Sequence, residues 1–167
     1  MDAGNGALGV AANGIQMEQE IDYRVTSRPL GAGLAEELIT LAQRVFGPTD
    51  RADGTWRIEN MPDLSCVEAR ADGVLIGFKL GYAVTARRYY SWLGGVDPGW
   101  RRRGIAMELM RRQHDWIRSR GYASVETETV QDNHAMAALN TLVGFNAVGM
   151  KFTGSKPRII YRKVLEG

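Results

Sequence analysis

The chain has 167 residues, 44% of them hydrophobic, with 21 basic against 19 acidic side chains and a formal net charge of +2. That length and apolar content suit one domain with a full core, and a charge so near balance excludes a broad basic field for gripping nucleic acid or an anionic membrane. A single cysteine, Cys66, excludes an internal disulfide framework and suits a reducing, cytoplasmic setting, and no apolar run approaches the roughly 18 residues of a membrane span or the core of a secretory signal.

Residues 1–19, rich in Gly, Ala and Asn and without periodicity, read as a flexible, dispensable leader, and 20–167 as the folded domain. "IDYRVTSR" alternates as a first strand, and "AGLAEELITLAQRVF" places Leu34, Leu38, Leu41, Ala42 and Val45 on one helical stripe. Gly47 to Asp63 is broken by turn formers and predicts a loop with at most one short helix. Its length marks it as functional, with Trp56 as a candidate acceptor contact and Asp50, Asp53, Glu59 and Asp63 hinting at a cationic ligand. "LSCVEARA" and "VLIGFKLGYAV" flank Asp72-Gly73, a strong hairpin turn, and "RYYSWLGGV" continues an antiparallel meander.

From Gly104 to Arg120, Ile105, Ala106, Leu109, Met110, Trp116 and Ile117 recur at helical spacing. "YASVETETV" is the next strand, "NHAMAALNTLV" a short helix stopped by Gly144, and "FNAVGMKF" and "RIIYRKVL" are closing strands. No internal repeat is present. This order predicts an α/β (α+β) fold with a mixed, mostly antiparallel sheet of about seven strands and helices on both faces. The helix from Gly104 serves as the crossover that makes its flanking strands parallel.

The stretch "DPGWRRRGIA" carries the chemistry. Helix N-termini present unsatisfied N–H groups and a positive dipole end; Gly104 and Ala106 remove bulk there, and Arg101, Arg102 and Arg103 add charge. The pattern predicts a pyrophosphate cradle, against the plain alternative of a solvated arginine face. Two nucleotide motifs fail. Gly99 and Gly104 have Walker A spacing but are followed by Ile105 and Ala106 instead of Lys and Ser or Thr, and no G-x-G-x-x-G occurs.

"VDPGWRRRGIA" resembles the acyl-CoA signature Arg/Gln-x-x-Gly-x-Gly/Ala of the GCN5-related N-acetyltransferase (GNAT) superfamily, matched at Arg101, Gly104 and Ala106. "DNHAMAALNTLVGF" resembles a second family segment, at Asn133, Gly144 and Phe145. The resemblance covers about Ile21 to Leu165 and implies a sheet whose fourth and fifth strands splay around acetyl-CoA. It implies that amides from Arg102 through Ile105 to Ala106 hold the pyrophosphate, that Gly94, Gly95 and Val96 meet the pantetheine arm, and that Val96 N–H polarises the thioester carbonyl. Asn133 and Asn140 would contact the arm from the following helix.

Attack by an amine requires loss of a proton, since a lysine-like amine has a pKa of about 10.4. Glu126 and Glu128 share a strand face, and Glu128 stands where some ribosomal-protein N-terminal acetyltransferases of the family carry their base. Tyr89 and Tyr90 are candidates to line the acceptor side or relay a proton. Many relatives have a tyrosine seven residues after the helix Asn; here that position is Asn140, which donates a hydrogen bond but is no general acid.

Plain readings stand beside these. Gly94-Gly95 reads equally as a bulge, Asn133 as a helix cap, the two glutamates as an exposed face, and Cys66 as a packed thiol. His114 and His134 lack ligand-like neighbours, so no metal is expected. The expected protein is an acetyl-CoA-dependent N-acetyltransferase working on a primary amine in a ternary complex. A non-catalytic acyl-CoA sensor is the alternative, and a plain interaction domain is the third. The sequence leaves the acceptor and a homodimer open.

Overall fold

The structure, a computed structural model, describes residues 19–165. The expected leader, but for Gln19, lies outside the described residues. Seven strands, β1 (Ile21–Ser27), β2 (Ser65–Ala71), β3 (Val74–Ala83), β4 (Arg88–Val96), β5 (Ser124–Val130), β6 (Asn146–Thr153) and β7 (Lys156–Val164), form one sheet in the order β1-β2-β3-β4-β5-β7-β6. Four α-helices accompany them: α1 (Ala32–Phe46), α2 (Arg51–Asn60), α3 (Ile105–Ser119) and α4 (His134–Leu142). Among the described strands only β4 and β5 pair in parallel, joined through α3.

Local chemistry explains the elements that position the site. Asp72 (φ 49°) and Gly73 (φ 78°) are both left-handed, the requirement of a type I′ turn, so β2 and β3 close as a two-residue hairpin. The stripe on α1 buries Leu38, Ile39, Leu41 and Ala42 against Cys66, Phe78 and Leu80 on one sheet face. On the other face α3 sets Ile105 and Leu109 against Val67, Ala69 and Ile76. Ala106, expected in the apolar stripe, is exposed, which leaves the first turn of α3 bare.

The expected loop from Gly47 to Asp63 contains a ten-residue helix, α2. Asp50 caps it, accepting from Asp53 N–H at 3.0 Å, and Asp53 pairs with Arg57 one turn on. The helix was hard to read because Ile58 is its only buried residue, so no apolar stripe marks it.

Candidate functional site

The site begins where β4 and β5 part. Their parallel pairing covers Arg88–Ser124, Tyr89–Val125 and Tyr90–Glu126 and then stops. Thr127 Oγ1, donating to Ser91 O at 3.0 Å, ties the strands just beyond the last pair. From there a wedge opens toward the C-terminal ends of both strands. A register shift between Leu80 and Gly81 leaves Trp92 as the extra residue of β4, so the bulge lies two residues before Gly94-Gly95. Asp97 N–H donates to Ile76 O at 2.8 Å. The alternation of an antiparallel ladder therefore turns Gly95 N–H toward β3 and directs the N–H groups of Gly94 and Val96 into the wedge. Both glycines are required by packing: a Cβ on Gly94 would lie 2.6 Å from Lys79 Cδ on the α3 face, and one on Gly95 2.9 Å from Val45 Cγ1 on the α1 face.

At the open end of β4 the chain makes a short 3-10 turn over Pro98–Trp100. Asp97 holds it, accepting from Gly99 N–H at 2.9 Å and pairing with Arg44 of α1 at 2.7 Å. Arg44 and the Gly99 amide hold the Asp97 carboxyl below the usual carboxylate range. Arg102 (φ 63°) and Gly104 (φ 77°) are left-handed, and Gly104 enters α3 with no side-chain cap. The amides of Ile105 and Ala106 are thus open to an anion while the Ile105 side chain is buried beneath them. Arg101, Arg102 and Arg103 are exposed; Arg101 Nε donates to Val96 O at 3.3 Å, and Arg103 stacks on Trp100 at 4.7 Å. Glu108, in the first turn of α3, is held to about 2 by Arg111 and also bonds Arg112. Nothing lies within 4 Å of a Cβ built on Gly104. Gly104→Ala is expected to cost about 1 kcal/mol in denaturant melts, from left-handed backbone strain, and to weaken acetyl-CoA binding by about tenfold in calorimetry.

Across the wedge, Asn133 caps α4, its Oδ1 accepting from Met136 N–H at 3.1 Å. Asn140 has no exposed surface; its Nδ2 donates to Thr129 Oγ1 at 3.1 Å, bracing α4 on β5, and its Oδ1 has no partner among the described residues.

On the opposite sheet face an open cleft of about 510 Å³ is lined by Glu126, Glu128, Tyr82, Tyr90, Trp92 and the basic groups Arg57, Lys151 and Arg158, among others. The two glutamates differ in their partners. Glu126 accepts from Arg162 Nε at 2.8 Å and lies 3.6 Å from Arg88, whereas among the described residues Glu128 pairs only with Lys151, a side chain 48% exposed. Glu128 is thus the acid more readily released to a ligand. Tyr90 shares the cleft, and burial, then Glu128, push its phenol well above the usual tyrosine range, so its hydroxyl keeps its proton.

Tyr89 does not join it. It is fully buried on the other face, its hydroxyl 2.7 Å from Ser65 Oγ and donating to Asp63 O. Trp92 lines the cleft where the sequence favoured Trp56, which is 54% exposed on α2 and outside the lining. Of the acids expected to attract a cation, Asp50 caps α2 and Asp63 bonds Tyr122 and Arg120, whereas Asp53, paired with Arg57, lines the cleft. Cys66 is buried in the α1 core, which pushes its thiol far up and out of reaction. Among the described residues, no three His, Cys, Asp or Glu side chains come together as a metal site.

A splayed parallel pair, with an anion cradle at the following helix and a carboxylate-bearing cleft behind it, defines an acyl-CoA-binding class of fold. The acetyltransferase (GNAT) family model matches residues 32–145, and the chain belongs to that family. It is 37% identical over 89 residues to the N-alpha-acetyltransferase RimI of Mycobacterium tuberculosis, covering 51% of this chain and 54% of that protein. The match therefore spans about half the length of that curated relative. Among solved structures it resembles the ribosomal-protein-S18-alanine N-acetyltransferase of Escherichia coli, with a TM-score of 0.75 at 19% identity, covering 87% of this chain and 96% of that one. It also resembles Arabidopsis thaliana NAA60 in complex with acetyl-CoA, with a TM-score of 0.73 at 18% identity, covering 89% and 100%.

Proposed function

We propose that this chain transfers an acetyl group from acetyl-CoA to a primary amine by direct attack in a ternary complex, and that the amine is a peptide N-terminus. The observation that carries the reading is the wedge itself. It links the bare N-terminus of α3, with three arginines, to a cleft holding Glu128. In this reading the amides from Arg102 to Ala106 and the guanidinium groups hold the pyrophosphate. Gly94 and Val96 N–H face the pantetheine arm, and Val96 polarises the thioester carbonyl. Glu128 takes the amine proton, and Tyr90 orients the acceptor through its hydroxyl.

Three considerations favour a peptide α-amine. Its pKa of about 7.7–8.0, against about 10.4 for lysine, leaves a useful neutral fraction near neutrality, so a carboxylate base suffices. The mycobacterial relative is by name an N-alpha-acetyltransferase, and the Escherichia coli protein is by name a ribosomal-protein-S18-alanine N-acetyltransferase. An apolar pocket of about 190 Å³ between α1 and α2 shares Asp53, Trp92 and Leu93 with the cleft and suits the first side chain of such a peptide. The single buried Cys66 fits a reducing, cytoplasmic setting.

Thermal melts with acetyl-CoA, CoA, ATP and NAD test the donor. Acetyl-CoA and CoA alone are expected to raise the melting temperature, by about 2.7 kcal/mol of stabilisation at a hundred times their Kd. A peptide with a free N-terminus should then release CoA thiol, and the same peptide blocked at its N-terminus but carrying a lysine should not. Absence of any CoA shift would overturn the donor assignment, and equal use of both peptides would overturn the acceptor.

A further inference from the structure

Lys79 is the one charged residue in the apolar run of β3, and it is buried, retaining 8% exposure. Its register partner is Gly94, and its side chain lies along that residue: Cδ and Nζ would be 2.6 and 3.4 Å from a Cβ there. The amine therefore lies over Gly94 on the α3 face of β4, the strand whose Gly94 and Val96 N–H groups face the gap. Among the described residues, none of its neighbours supplies an anion. β2 places Val67 opposite it, β4 places Gly94, and α3 places His114. Burial, then Lys163, Lys79 and Arg118, hold that imidazole neutral, at about 3. The lysine is pulled down to about 8 by burial alone, with no carboxylate or hydrogen bond opposing it. An ammonium this enclosed is ordinarily paired.

We infer that Lys79 receives the leaving thiolate of the acyl donor, its ammonium supplying the charge and the proton that Asn140, fully buried and bonded to Thr129, cannot supply. The inference rests on the donor site proposed above. As the amine nitrogen bonds to the acetyl carbonyl carbon, the C–S bond breaks with its electron pair on sulfur. Lys79 Nζ–H passes a proton to that sulfur, giving CoA as the free thiol and a neutral lysine, which regains a proton from water. The proton of the attacking amine goes to Glu128. A pKa near that of a thiol, about 8.5, makes such a transfer nearly balanced.

The test is the titration of bound CoA, followed by the ultraviolet absorbance of the thiolate in the protein complex, for the native chain, Lys79→Met and Lys79→Gln. In the native complex the thiol is expected to titrate about one pH unit below its free value of about 8.5, a tenfold shift, and in both variants to return to that value or rise above it. Desulfo-CoA, which lacks the thiol, should bind all three alike in calorimetry. Identical thiol titration in native and variant complexes, with CoA bound to each, would overturn the role of Lys79 alone. Failure of the native chain to bind CoA at all would overturn the donor site and this inference with it.

Discussion

Glu128→Gln is expected to lower turnover by about 10²- to 10⁴-fold while leaving acetyl-CoA affinity within about twofold. The amide keeps the size and hydrogen-bonding reach of the carboxylate but cannot take a proton, so the loss falls on kcat. The ion pair with Lys151 is lost as well. With the lysine side chain 48% exposed, that pair is worth no more than about 1 kcal/mol, and the melt should barely move. Glu126→Gln is the matched control. Glu126 is held by Arg162 and Arg88, so its replacement disturbs β5, β7 and β4 more than it disturbs proton transfer, and turnover should fall far less. A chain that only sensed acyl-CoA would have no amine-dependent CoA release for Glu128→Gln to abolish. Unchanged turnover in an active protein would pass the role of base to a water chain.

The architecture was legible because it rests on strong periodicities. Alternating strands, the α1 and α3 stripes and the Asp72-Gly73 turn each fix an element locally, and the crossover helix fixes which pair is parallel. Glu126 and Glu128 on one strand face follow from the same period of two, and both reach the cleft. The features that escaped depend on contacts between remote segments. That Tyr89 and Tyr90 point to opposite faces is local, but which face holds the cleft depends on where α1 and α2 pack. The bulge at Trp92 exists only relative to β3. Lys151 and Arg158 reach the cleft from β6 and β7, strands whose pairing no short stretch announces. Lys79 did leave a signal: one cation inside "VLIGFKLGYAV" conflicts with a strand buried on both faces, and such conflicts gather at functional positions.

That conflict yields the second large expected effect: Lys79→Met should stabilise the ligand-free protein by about 3 kcal/mol at pH 7, or roughly 6–12 °C in Tm. A lysine falling from 10.5 to about 8 on folding corresponds to that figure at about 1.36 kcal/mol per pH unit. Because the folded value is the lower one, both states are protonated below about pH 8, and the folded chain bears the whole cost of the buried charge. Between about 8 and 10.5 the folded state releases the proton while the unfolded chain keeps it, so native stability rises with pH through that window. The advantage of Lys79→Met should therefore be complete at about pH 7 and gone near pH 10.5, which denaturant melts across that range would show. Equal stability of the two proteins at pH 7 would mean that the charge is already compensated in the ligand-free fold. Methionine fills nearly the same volume beside Gly94, so a gain cannot come from relief of packing. A fold that tolerates this cost without ligand should recover part of it when an anion enters the wedge. CoA at a pH where its thiol ionises should then stabilise the native chain more than it stabilises Lys79→Met.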